Sequence, residues 1–75
     1  MKYVIVETAG IETAIVFSEL LKHTDVVMPR QAISAGFCSY DDGKVNVWGK
    51  SVSLDKFSRP EDSQIIEDSF KFRGF

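Results

Sequence analysis

Nucleophilic catalysis needs an activated Cys or Ser beside a base, and this sequence offers one cysteine, Cys38, and one histidine, His23. Cys38 stands in the run Phe37-Cys38-Ser39-Tyr40, where a cysteine packs as a small apolar residue. His23 follows Glu19-Leu20-Leu21-Lys22, where a cation favours a helix C-terminus. The packing reading is preferred for both, so no catalytic residue is assigned and the chain is read as not an enzyme. One Cys and one His cannot close a tetrahedral metal site. Asp41-Asp42-Gly43 lacks the alternating oxygen donors and closing Glu of a calcium loop, and a turn is the better account of it. No metal and no cofactor is expected.

Two further chemistries have candidate residues. A helix beginning at Ser58-Arg59-Pro60 is an anion site in principle, but no glycine-rich loop precedes it and a plain structural cap is favoured. Nucleic-acid binding wants a basic stripe interleaved with stacking rings, and Trp48, Lys50, Lys56, Phe57, Arg59, Lys71, Phe72 and Arg73 have that character. Most of the nine Lys and Arg lie from Lys44 onward. Asp55, Glu61, Asp62, Glu67 and Asp68 are threaded among them, and a solvated mixed-charge face accounts for the pattern more simply. The chain as a whole carries a net charge of -2, which provides no field to steer a polyanion.

These residues must be positioned by a thin core. Seventy-five residues bury roughly 60% of their unfolded surface. With 44% hydrophobic and 27% charged residues the chain folds rather than staying disordered. Phe, Tyr and Trp make up 12% of it, an excess for so small a core, which suggests that some rings are covered by a protein partner or a second copy. A lone cysteine fits a reducing cytoplasm. Glu7 cuts short the first apolar run, so no export signal is expected. The longest apolar runs are four residues against the ~20 a membrane helix needs, so no membrane contact is expected.

Along the chain, Lys2 to Thr8 alternates as a strand rich in β-branched residues. Residues 11–17 can be read as a second strand of a hairpin or as the start of a helix reaching His23; the strand reading is preferred. Ser18 is placed as N-cap of a short helix, Glu19 to His23. Asp42-Gly43 is a type I′ turn pair that makes a ribbon in which Asp41 opposes Lys44, Tyr40 Val45, Ser39 Asn46, Cys38 Val47 and Phe37 Trp48. One face of this ribbon carries Cys38, Tyr40, Val45 and Val47. The other carries Ile33, Ala35, Phe37, Trp48 and Val52. Gly36 falls across from Gly49, a gap for a bulge, a helix contact or a ligand.

Ser58-Arg59-Pro60-Glu61 reads as a capping box with Glu61 reaching back, opening a helix that faces Ile65, Ile66 and Phe70 inward and Asp62, Glu67 and Asp68 outward. Residues 71–75 are read as a frayed tail or short edge strand.

At Ser34-Ala35-Gly36-Phe37-Cys38, Trp48-Gly49-Lys50-Ser51-Val52-Ser53-Leu54 and Ser58-Arg59-Pro60-Glu61-Asp62, the chain resembles a group of short uncharacterised proteins of bacteria and their phages. The resemblance covers most of the chain. It implies a bacterial or prophage origin and brings no assigned catalytic residues.

The expectation is one α+β domain over residues 1–75, ordered β-β-α-β-β-α, with an antiparallel sheet and the C-terminal helix packed on one face; the alternative order is β-α-β-β-α. Functionally, a small non-catalytic binding or accessory domain is expected, acting through protein–protein contacts or self-association. Its candidate partner-binding residues are Trp48, Lys50, Ser51, Ser53, Arg59, Phe72 and Arg73. The alternative is a nucleic-acid-associated phage accessory protein.

Overall fold

Alternation in the first strand is carried straight into three dimensions: β1 (Lys2–Thr8) sends Tyr3 and Ile5 to one side and Val4 and Val6 to the other, both sides meeting apolar groups. The computed structural model describes residues 1–27 and 31–72, and of Lys71 and Phe72 the backbone alone. β1 pairs with β2 (Ile11–Phe17) through a two-residue turn, so residues 11–17 form a strand. Ala9 (φ 53°) and Gly10 (φ 81°) both take the left-handed conformation that such a turn requires. Asp42 (φ 49°) and Gly43 (φ 79°) repeat the device between β3 (Ala32–Asp41) and β4 (Lys44–Trp48). The pairing of that ribbon is the one expected, from Phe37 opposite Trp48 to Asp41 opposite Lys44.

The four strands form one antiparallel sheet in the order β2-β1-β3-β4. A small second ribbon follows, β5 (Lys50–Ser51) with β6 (Lys56–Phe57), and the C-terminal helix α2 (Asp62–Phe72) packs on one face of the main sheet. The fold is therefore α+β in the expected order, with the β5–β6 ribbon added.

Helix α2 seals one face. Ile66 is fully buried among Tyr3, Ile5, Ala14, Cys38 and Val45, with Ile65 and Phe70 packed at the margin. The opposite face has its own smaller core of Val4, Ala32, Ala35 and Leu54, flanked by Ile15, Phe17, Val26 and Val27. Leu54 reaches it from the Val52–Asp55 turn joining β5 and β6, which the Ser51 hydroxyl steadies by accepting the Leu54 N–H at 3.2 Å.

Several local expectations are corrected. Ile33 does not share a face with Ala35. Ile5 pairs with Ser34 and Val6 with Ala32, so Ile33 is the extra residue of a bulge and packs into the core under α2. Val52, expected beside Trp48 in the ribbon, lies in the β5–β6 turn and is exposed. The short helix α1 is His23–Val26 rather than Glu19–His23. Ser18 instead closes a turn, its hydroxyl accepting the Leu20 N–H and its carbonyl the Leu21 N–H. The helix begins later because Asp25 accepts the Lys22 N–H at 2.8 Å, which puts His23 in its first turn and not at its C-terminal end.

The carboxylate reaching back at α2 is Asp62, not Glu61: it accepts the Arg59 N–H at 2.9 Å and is buried instead of facing outward. Glu67 also folds inward, accepting the Val45 N–H at 3.0 Å from edge strand β4. Lys71 and Phe72 continue α2 and are neither tail nor strand, while 73–75 lie outside the described residues.

Gly36, in the middle of β3 opposite Tyr3, is required because the backbone leaving β4 passes against it. A Cβ there would stand 2.6 Å from the Trp48 carbonyl oxygen and 3.2 Å from Ser58 Cβ, so the expected gap opposite Gly49 is filled by the chain's own backbone.

Candidate functional site

Strand pairing aligns four residues across the uncovered face of the sheet. Phe17 pairs with Lys2, Lys2 with Phe37, and Phe37 with Trp48. Successive strands thus place the Lys2 backbone between the two phenylalanines, while its Nζ reaches the Leu21 carbonyl. The imidazole of His23 sits edge-on over this row, 5.3 Å from Phe17 and 6.2 Å from Phe37 between ring centroids. Its Nε2–H donates to the Gly36 carbonyl at 3.0 Å, because that partner is an acceptor only, and this holds the buried ring still. Phe37 and Trp48 stack at 6.4 Å with 21° between their planes, leaving Trp48 49% exposed.

Beside this row opens a hollow of about 530 Å³. His23, Phe37 and Gly49 line it together with Lys2, Lys22 and Lys50, and the β5–β6 ribbon contributes Ser51, Val52 and Ser53. Three lysines line it and no acidic residue does. Lys2 Nζ donates to the Leu21 carbonyl at 2.8 Å, tying the 18–21 turn to the rim. Lys50 Nζ lies 5.7 Å from the centroid of the Phe57 ring, which is 64% exposed. The hydroxyls of Ser51 and Ser53 are 3.3 Å apart.

A second polar cluster lies on the helix side. Tyr3 Oη donates to Asp62 Oδ2 at 2.6 Å, and Arg59 Nε to Asp62 Oδ1 at 2.9 Å. The Arg59 guanidinium also bonds Glu12 Oε1 at 2.6 Å, joining the start of α2 to β2. Burial and the Asp62 carboxylate push the Tyr3 phenol far above its ordinary range, the Arg59 N–H pulling weakly the other way. Burial works against the Arg59 charge, but its bonds to Glu12 and Asp62 outweigh that and raise its pKa. Every polar group in this cluster has a partner within the fold, so it acts as a clamp.

Of the residues singled out in the sequence, Lys50, Ser51 and Ser53 line the hollow, and Trp48 flanks it through its stack on Phe37. Arg59 is elsewhere, engaged by Glu12 and Asp62. The Phe72 side chain and Arg73 lie outside the described residues. Lys2, Lys22 and Phe37 were not singled out. The alternation that puts Lys2 on the same side as Val4 and opposite Phe17 was the available signal for the first of them.

Cys38 and His23 do not meet. The thiol lies in the core under α2, where burial raises its pKa against the pull of the N-terminal ammonium, while the imidazole is on the opposite face. Among the described residues, no three His, Cys, Asp or Glu side chains gather as a metal site, and no helix is long and apolar enough to cross a membrane. The chain matches no protein-family profile, no curated protein and no solved structure.

Proposed function

We propose that this chain is a small non-catalytic binding or accessory domain whose contact surface is the sheet face that α2 leaves uncovered. The observation that carries this reading is the open hollow on that face, lined by three lysines and no acidic residue, with Trp48 at its margin. Trp48 is 49% exposed there and Phe57, on the β5–β6 ribbon, 64%; on the α2 side Tyr40 is also 58% exposed, with its ring edge against Phe70, while the Tyr3–Asp62–Arg59 cluster finds its partners within the chain. A protein surface or a second copy of the chain would cover these rings, in keeping with the 12% aromatic content. The resemblance to short bacterial and phage proteins supports such an origin, and the single buried thiol fits a reducing cytoplasm. Self-association is tested by light scattering across a concentration series. Wild-type mass should rise towards twice the monomer, with Trp48→Ala and Phe57→Ala reducing the rise; a strict monomer at high micromolar concentration removes the second copy as occupant.

The lysines favour a second reading, that of a nucleic-acid-associated protein. Lys2, Lys22 and Lys50 converge on one hollow with no acidic residue lining it, so the mixed charge of the sequence is locally unmixed.

A further inference from the structure

We infer that the hollow between the Lys2–Phe37–Trp48 row and the β5–β6 ribbon binds single-stranded nucleic acid, with backbone phosphate on the lysines and a base stacked on Trp48. The inference rests on the second reading above, keeps the same face as the contact surface, and names its occupant. Charge is the first argument. Three lysines line the hollow and no acidic residue does, so an anion entering it meets basic residues from β1, from the start of α1 and from β5. The rings are the second. A peptide rich in carboxylates would satisfy the lysines and leave the Trp48 and Phe57 rings in water. A phosphodiester strand brings a flat base for each phosphate and uses both kinds of group.

Trp48 is prepared for that contact. Phe37 supports one side of it at 6.4 Å and nearly parallel, and His23 is fixed against Phe37 by its bond to Gly36, so the platform is held before any base arrives. Shape is the third argument. A hollow of about 530 Å³ has the size of a small-ligand pocket and admits one unstacked nucleotide, not the side of a duplex. The exposed Ser53 hydroxyl on its wall, 3.3 Å from the buried Ser51 hydroxyl, can donate to a phosphate or sugar oxygen when Ser51 donates to it.

Trp48 is the chain's single tryptophan, so its emission reports the site directly. The experiment titrates the full chain with a fluorescein-labelled dodecathymidylate at about 20 mM and about 150 mM salt, reading anisotropy, and with the unlabelled strand reading tryptophan quenching. A duplex of the same length and a poly-glutamate peptide are the comparators. The expected result is quenching by the single strand and weaker binding to both comparators. Engagement of three phosphates gives a slope of log K against log salt near −2. Lys22→Ala with Lys50→Ala should bring that slope to about −0.7, and Trp48→Ala should weaken binding about tenfold or more.

No binding at low salt up to about 100 μM overturns the inference, as does poly-glutamate binding as well as the strand. Binding that the lysine and tryptophan variants leave unchanged overturns it too. Self-association lost in Trp48→Ala, with no oligonucleotide binding, would overturn the nucleic-acid inference and leave the contact surface standing.

Discussion

The two faces of the main sheet are built from the same strands and finished in opposite ways. Under α2, Ile66 fills the space over Tyr3, Ile5, Cys38 and Val45, and the Tyr3–Asp62–Arg59–Glu12 chain of hydrogen bonds fastens the helix start to the sheet. On the other face a four-residue helix and a two-stranded ribbon cover the sheet in part, leaving a hollow with lysines on its rim and rings in water. Burial is roughly proportional to stabilisation at about 25 cal/mol per Å² of apolar surface. Both faces bury apolar groups, but the α2 face has the larger buried cluster and the hydrogen-bonded clamp, while the other face keeps the open hollow.

Substitutions that cost stability under α2 and spare it opposite are the sharpest check on this division. Ile66→Ala should cost about 3–4 kcal/mol in urea unfolding, whereas Phe57→Ala should cost less than about 0.5 kcal/mol. Equal losses from the two would dissolve the distinction. Asp62→Ala should follow at about 3 kcal/mol, since it strips the acceptor from Tyr3 Oη, the Arg59 N–H and the guanidinium together. Combining it with Tyr3→Phe should cost less than the sum of the two, because the phenol and carboxylate lose the same bond.

The same phenol predicts an alkaline limit. Its folded-state pKa is raised, so its stabilisation is complete below the unfolded tyrosine value of 10.0 and declines as pH rises above it. The unfolded chain then loses the proton that the folded chain keeps, at up to about 1.4 kcal/mol per pH unit. Cys38, also raised, adds a decline beginning at its ordinary value of 9.0. Tyr3→Phe should flatten the part above pH 10 in equilibrium unfolding and leave the Cys38 part.

Ser34 is the covered face's one flaw among the described residues. It pairs with Ile5, is fully buried, and its hydroxyl has no hydrogen-bond partner. Ser34→Ala should raise stability by about 1 kcal/mol, and a loss of stability would mean that the hydroxyl is satisfied in solution. The smallest effect concerns the two hairpin tips. Ala9 holds φ 53° with an alanine side chain where the other tip has Asp42, so Ala9→Asn should gain about 0.5 kcal/mol by thermal unfolding.

Much of the fold was legible because it depends on neighbours in the chain. Asp42-Gly43 demanded a tight turn, and the turn set the pairing from Phe37 to Trp48 by counting. The inward stripe of α2 followed from the spacing of Ile65, Ile66 and Phe70. Three features were not legible. The bulge at Ile33 depends on how β3 lies against β1, a pairing with 28 residues between Ile5 and Ser34, and it turns a side chain to the other face. Asp62 looked like a surface carboxylate until Tyr3, at the far end of the chain, supplied a buried donor. The hollow was half seen: Trp48, Lys50, Ser51 and Ser53 were marked for their types, but Lys2 and Lys22 join them only through folding.

By itself, then, the sequence determined the first strand, the Asp42-Gly43 turn with its ribbon and the amphipathic C-terminal helix, since periodicity and turn chemistry act over a few residues and need no distant partner. Tertiary structure decided which carboxylate is buried, which face stays open and which cations converge there. Those outcomes depend on contacts between residues far apart in the chain, where side chains compete for the same space and the same hydrogen bonds.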